Sequence, residues 1–175
     1  MLSLGIVPRE ATPWEQIVHS GGRRAGDTLQ FMELPVTVDG HLHTRFLTSG
    51  IRHIPDESIL TVGSTPVQVS IDEHERALGA LNDGDLLTLL PQSNNPKDPD
   101  AVILAADGVP LGWVPRILSA GVRTLMESGV DVRASVQRIA GPAAPPHVRL
   151  VVDLEAEAPT DFTFDVAGDW EQYCG

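Results

Sequence analysis

The sequence predicts a mainly β protein, a small closed or partly closed barrel carrying two or three short helices. Three observations carry that expectation. Eight short stretches have strand character. Sixteen Gly and fourteen Pro supply turns between them, whereas aromatics make up only 5 %. Several of the stretches alternate apolar and polar residues, as half-buried strands do. Closure of such a sheet removes edges that would otherwise pair with other chains.

Taken in order, "TPWEQIVHSGG" (12–22) predicts a short helix. Thr12 is its N-cap, Pro13 its first residue and Glu15 the far side of a capping box, and Gly21 and Gly22 stop it. Strands follow at 28–34, 43–54 and 64–71. "DEHERALGALNDG" (72–84) predicts a second helix, capped by Asp72 with Glu75 three residues on and an apolar face of Ala77, Leu78 and Leu81. Strands at 85–91, 101–107 and 109–115 come next. "PRILSAGVRTLMESG" (115–129) predicts a third helix from Pro115 to Gly129, burying Leu118, Val122, Leu125 and Met126. Its central Gly121 either weakens it by about 1 kcal/mol or lets something pack close. Strands at 130–139 and 147–156 complete the pattern. Val132, Ala134, Val136 and Ile139 nearly alternate with Arg133, Ser135 and Gln137.

A chain of 175 residues with 42 % apolar content can build one cored domain with appendages. The divisions read as an N-terminal extension (1–42), a barrel (43–156) and an acidic aromatic tail (157–175). The net charge is −12. Seven acids and no base lie from Asp153 to Gly175, so the first 152 residues hold 17 acids against all 12 bases. The tail also holds Phe162, Phe164, Trp170 and Tyr173, half of the eight aromatics. It either packs on the barrel or docks a protein partner.

Cys174 is the only cysteine, so neither a disulfide within the chain nor a thiolate metal cluster is available. The N-terminus has no basic-then-apolar signal, and no apolar run approaches the roughly 18 residues of a membrane span. A cytoplasmic protein is expected, with no membrane partner and no cofactor. Catalysis is not expected either. There is no Gly-x-Ser-x-Gly elbow and no phosphate loop ending in Gly-Lys-Ser/Thr. The only lysine, Lys97, precedes Asp98, the reverse of the order in a restriction-type nuclease. His41 and His43 could share one strand face as metal ligands, but no third ligand is evident, and a solvated turn explains them as well. "GGRR" (21–24) reads as a phosphate contact or an exposed turn.

The richest stretch is "SNNPKDPDAVILAADGVPLGWVPR" (93–116). A strand runs into a loop in which Pro96 and Pro99 fix φ and Asn and Asp side chains can close turns on their own backbone. A second strand follows, then an Asp-Gly turn, then a third strand that delivers Trp113 and Arg116 beside the loop.

These residues resemble the HIRAN family. The matching parts are Gly84-Asp85 before a strand, "SNNPKDPDAV" for the family's Asn-Asn-Pro loop, "DGVPLGWVPRIL" for its Gly turn, strand and helix, and "SGIRHI" (49–54) for its leading Gly-hydrophobic-Arg-aromatic. The resemblance spans about residues 43–140. It implies a small β-barrel related to oligonucleotide-binding folds, found ahead of fork-remodelling ATPases and alone in bacteria. In the eukaryotic remodellers the module captures the 3′ end of single-stranded DNA. By motif position, Arg52 would contact the backbone, His53 would replace a stacking aromatic, and Asn95 and Asp98 would hold the terminal nucleotide and its 3′-hydroxyl. Trp113 would line the pocket, with Asn94, Lys97 and Arg116 around it. Lys97 stands where the family has a stacking Tyr.

Each of these residues has a purely structural explanation beside the functional one. Asn95 and Asp98 would close the loop, Arg52 would pair with an acid at the barrel edge, Trp113 would be core, and Asp85 a turn residue. The function expected is a non-catalytic DNA-binding module of a stand-alone bacterial HIRAN-like protein. It would recognise single-stranded DNA or its 3′ end and act as an accessory subunit to an enzyme. The alternative is a protein-interaction scaffold in a nucleic-acid-processing complex, docking a basic partner through the tail without binding DNA itself.

Overall fold

A computed structural model describes residues 33–55, 60–62, 65–162 and 164. The expected helix at 12–22, "GGRR", most of the strand at 28–34, and Trp170, Tyr173 and Cys174 lie outside them. Seven strands form one antiparallel sheet: β1 (Glu33–Val38), β2 (His41–Leu47), β5 (Leu86–Pro91), β6 (Val102–Ala106), β7 (Val109–Trp113), β8 (Val132–Ile139) and β9 (Leu150–Glu157). Their order across the sheet is β1-β2-β9-β8-β5-β6-β7. A separate hairpin pairs β3 (Leu60–Val62) with β4 (Thr65–Val67), and the described residues hold two helices, α1 (Ile71–Ala80) and α2 (Arg116–Glu127).

Two Asp-Gly turns build the outer hairpins. Asp39 and Gly40 (φ 52° and 82°) join β1 to β2, and Asp107 and Gly108 (φ 47° and 80°) join β6 to β7. Positive φ at both central residues matches the right-handed twist of the flanking strands. The sequence reading placed the second hairpin but not the first: within the extension it expected a strand at 28–34, whereas β1 runs from 33 to 38 and pairs with β2 as the sheet's edge strand.

The sheet does not close into a complete barrel. Its far edge returns to the end of β2 through one bridge, in which the backbones of Ser49 and Trp113 exchange N–H···O bonds of 2.9 Å in both directions. Gly112 permits this approach. A Cβ there would lie 2.5 Å from Thr48 Cγ2 and 2.8 Å from the Ser49 carbonyl. Gly50, in the left-handed region at φ 67°, then turns the chain into a 3₁₀ helix at Ile51–His53. That turn ends β2 at Leu47, where the sequence predicted a strand to 54, and limits closure to a single bridge.

α1 begins two residues earlier than predicted. Ser70, not Asp72, is its cap, accepting from the Glu73 N–H at 3.2 Å. The helix lies on β7, where buried His74 Nε2 meets the Leu111 carbonyl at 2.9 Å. α2 starts after Pro115 and ends before Gly129 (φ 79°), with Leu118, Val122 and Leu125 fully buried. A Cβ on Gly121 would lie 2.3 Å from the Phe164 ring, which fills that space. Phe164 meets Phe162 edge to face at 5.2 Å, so the start of the aromatic segment packs on α2.

The main core joins both helices to the inner face of the sheet through Leu42, Phe46, Leu104, Leu111, Leu150 and Leu154. A smaller cluster of Ile54, Leu60 and Val69 sits under Trp113. Among the described residues no helix is long and apolar enough to cross a membrane.

Candidate nucleic-acid interface

The loop at 93–100 is closed at its base by the Gln92 N–H on the Ala101 carbonyl (2.8 Å), which extends the β5–β6 ladder. Asn95 shapes its first half. Its Oδ1 accepts from the backbone N–H groups of Lys97 (2.9 Å) and Asp98 (3.2 Å), an Asx-turn. Its Nδ2 donates to Gln92 Oε1 at 3.0 Å. Asp98 shapes the second half. One carboxylate oxygen accepts from the Asp100 N–H at 3.0 Å, the other from the Ser119 hydroxyl at 2.7 Å. Ser119 lies early in α2, where the helix dipole favours an adjacent negative charge. The loop-closing explanations of Asn95 and Asp98 therefore describe bonds that exist. Each Asp98 oxygen still has a lone pair to offer, because a carboxylate accepts at about four positions.

Trp113 is half-buried. Its indole N–H donates to Gln92 Oε1 at 2.7 Å. On its other side the benzo ring covers Gly50, where a Cβ would lie 2.7 Å from Cε3. Strand end, Gly turn and loop thus fix the ring in one orientation. Indole and Asp98 share one connected network running Trp113–Gln92–Asn95–Asp98 and on to Ser119.

The charged residues are placed around this network. Lys97 and Arg116 are exposed, and neither side chain has a partner among the described residues. Asn94 is exposed at the loop tip. Arg123 donates from both Nη atoms to Ser93 Oγ at 3.2 Å and pairs with Glu127 at 3.0 Å, bracing the loop against α2. Arg52 and His53 are exposed on the 3₁₀ helix that packs against β7. Arg52 has no acid partner among the described residues; its Nε lies 3.4 Å from His53 Nε2. Asn95, Lys97 and Asp98 thus lie on the loop that Trp113 and the start of α2 bond to, while Arg52 and His53 follow Gly50, which the indole covers. Asp85 is a turn residue whose carboxylate accepts from the Asn82 N–H at 2.8 Å.

Sequence reasoning missed Gln92, Ser119 and Arg123. A polar residue closing the apolar run "LLTLLP" and a serine inside the stripe Leu118–Val122 were the available signals. The arrangement offers a fixed aromatic surface, amide groups and two unshared cations. Among the described residues it offers no group of His, Cys, Asp and Glu able to hold a metal.

No family model matches the chain, and no curated protein sequence does. Among solved structures, the chain is similar to a Lactobacillus plantarum protein solved by a structural genomics consortium. The TM-score is 0.48 at 18 % identity, over 67 % of this chain and 97 % of that one. It is also similar to the HIRAN domain of human HLTF, with a TM-score of 0.43 at 13 % identity, over 77 % of this chain and 88 % of that one. Both are distant likenesses of the overall fold and assign a role to no residue.

Proposed function

We propose that this chain is a non-catalytic nucleic-acid-binding module that takes single-stranded DNA, or a strand end, into the cleft between loop 93–98 and Trp113. A partner enzyme would supply the chemistry. One observation carries the reading: a half-buried indole is tied through Gln92 to a preorganised loop that carries the exposed, unpaired Lys97, with the exposed Arg116 three residues after the indole. The Asn-Asn-Pro loop and Trp-Val-Pro strand that resemble the HIRAN hallmark support the same reading. A base stacked on an aromatic contributes about 1–3 kcal/mol, and a fixed ring spends little of that on ordering itself. Lys97 at a family stacking position shifts the balance from stacking toward phosphate contact. The net charge of −12 opposes a polyanion at long range. Binding should therefore be weak, with a modest salt slope of about 1.4 from Lys97 and Arg116.

The test is fluorescence anisotropy with single-stranded and duplex oligonucleotides, carrying free or blocked 3′ ends, between about 50 and 200 mM salt. The reading expects single strands to bind best, with affinity falling as salt rises and lost in Trp113→Ala. A free-end preference would assign the cleft to a terminus. No binding to any strand at the lowest salt would overturn the reading and leave the scaffold role, which the acidic charge favours.

A further inference from the structure

Gln92 is 6 % exposed and sits where the cleft's two walls meet. Chemistry fixes which way its amide faces. An indole nitrogen can only donate, so the atom 2.7 Å from Trp113 Nε1 must be the Gln92 oxygen. Asn95 agrees independently: its oxygen is held by the N–H groups of Lys97 and Asp98, which leaves its NH2 end to donate to that same Gln92 oxygen. The Gln92 oxygen is therefore doubly used. Its NH2 group has no partner among the described residues, yet it is not sealed from water. An almost wholly buried side chain thus holds two unused donors between Trp113 and the loop, where unmade hydrogen bonds are costly unless water or a ligand completes them.

We propose that Gln92 is a specificity-determining residue of this cleft: its oxygen locks the Trp113 indole to the loop, and its NH2 group donates to an acceptor on the bound strand. The acceptor is a phosphate oxygen or the carbonyl or ring nitrogen of a base. The donor half of the proposal rests on the nucleic-acid reading above; the lock does not.

Two variants separate the halves. Gln92→Glu keeps an oxygen for both accepted bonds but removes the donors. Gln92→Met keeps the length and removes everything polar. Indole N–H exchange of Trp113, followed by NMR, reads the lock without any ligand. Exchange stays slow in wild type and Q92E and speeds up at least tenfold in Q92M, since that variant alone strands the indole donor. Unchanged exchange in Q92M overturns the lock. Oligonucleotide binding reads the donor. Q92E loses about tenfold in affinity, and the loss persists between about 50 and 200 mM salt, because screening weakens charge repulsion but cannot restore a donor. Q92M, which lacks both the lock and the donors, loses at least as much, and its retention of wild-type binding overturns the donor role even should Q92E not fold. An equal loss on an abasic strand places the acceptor on the backbone, and a loss confined to base-bearing strands places it on a base; either supports the proposal. Binding within twofold of wild type in both variants overturns the donor role. A wild-type protein that binds no strand removes the nucleic-acid reading and the donor role together, and is recognised by wild type failing beside its variants.

Discussion

The surface of loop 93–98 with Trp113 and the open face of β2 and β9 carry similar side chains and use them in opposite ways. On β2 and β9, His41 lies 3.0 Å from Glu157, His43 lies 3.4 Å from Asp153, and Arg45 grips Asp153 at 2.7 and 3.3 Å. Each basic group there has an acid directly across the ladder or one step along it. At the cleft, Lys97 and Arg116 have no acid partner among the described residues, and the nearby acid, Asp98, is bound to Ser119 and the loop backbone. The contrast shows why a net charge of −12 is a poor guide to where an anion could bind. What matters locally is which cations are already spent. His41 and His43, weighed in the sequence as metal ligands, each lie against an acid across the β2–β9 ladder.

The largest expected effect comes from breaking the closure that forms the cleft. Gly112→Ala pushes a Cβ into Thr48 and the Ser49 carbonyl and should destabilise by about 2–4 kcal/mol, read as a drop in the denaturant midpoint. Gly84→Ala, at a positive φ of 91° but with open space around it, should cost only about 1 kcal/mol of backbone strain. Equal effects would mean that the Ser49–Trp113 bridge does not hold the sheet edges together.

Next comes charge. Lys97→Ala with Arg116→Ala should weaken oligonucleotide binding about tenfold at low salt and flatten the salt slope by roughly 1.4. His43→Ala with Arg45→Ala should leave binding within about twofold, because both side chains are already engaged by Asp153. A reversed order would move the interface to the sheet.

A smaller effect tests how α1 is anchored. Arg149 is 5 % exposed and donates to Glu75 at 2.6 Å, and its hydrogen bond is the main cause that lowers the Glu75 pKa below the ordinary 4.5. Glu75→Gln should cost about 1 kcal/mol, well under a fully buried pair, because Glu75 is 42 % exposed and partly screened. A depressed carboxyl pKa stabilises above the unfolded value and ceases to do so as pH falls through the folded one. The wild-type advantage over E75Q should therefore be full near pH 7 and shrink below pH 4.5 in pH-dependent denaturation. The smallest change is His41→Ala. Both partners of that pair are more than two-thirds exposed, and stability should move by no more than about 0.5 kcal/mol.

The parts of this fold legible in the sequence are those with local causes. The Asp107-Gly108 hairpin, the β8 alternation, and α2 between Pro115 and Gly129 follow from residues within a few positions. β2 was read too long because "TSGIRHI" continues a strand pattern; only Trp113, brought over Gly50 from across the sheet, requires the turn there. Ser70 and Asp72 both offer an acid three residues on, and the fold selects the earlier. The site divides in the same way. Asn95 and Asp98 announce themselves through a proline-bracketed loop. Gln92 and Ser119 take their meaning from partners 21 residues away, Trp113 and Asp98, and no local pattern marks that distance.

The most direct test of the cleft is a map of backbone and indole N–H shifts as a single-stranded oligonucleotide is added at low salt. The account predicts changes centred on the Trp113 indole and on Asn94, Asn95, Lys97, Asp98 and Arg116, with the β2–β9 face silent. Changes centred on His41, His43 and Glu155, with the Trp113 indole unmoved, would contradict it.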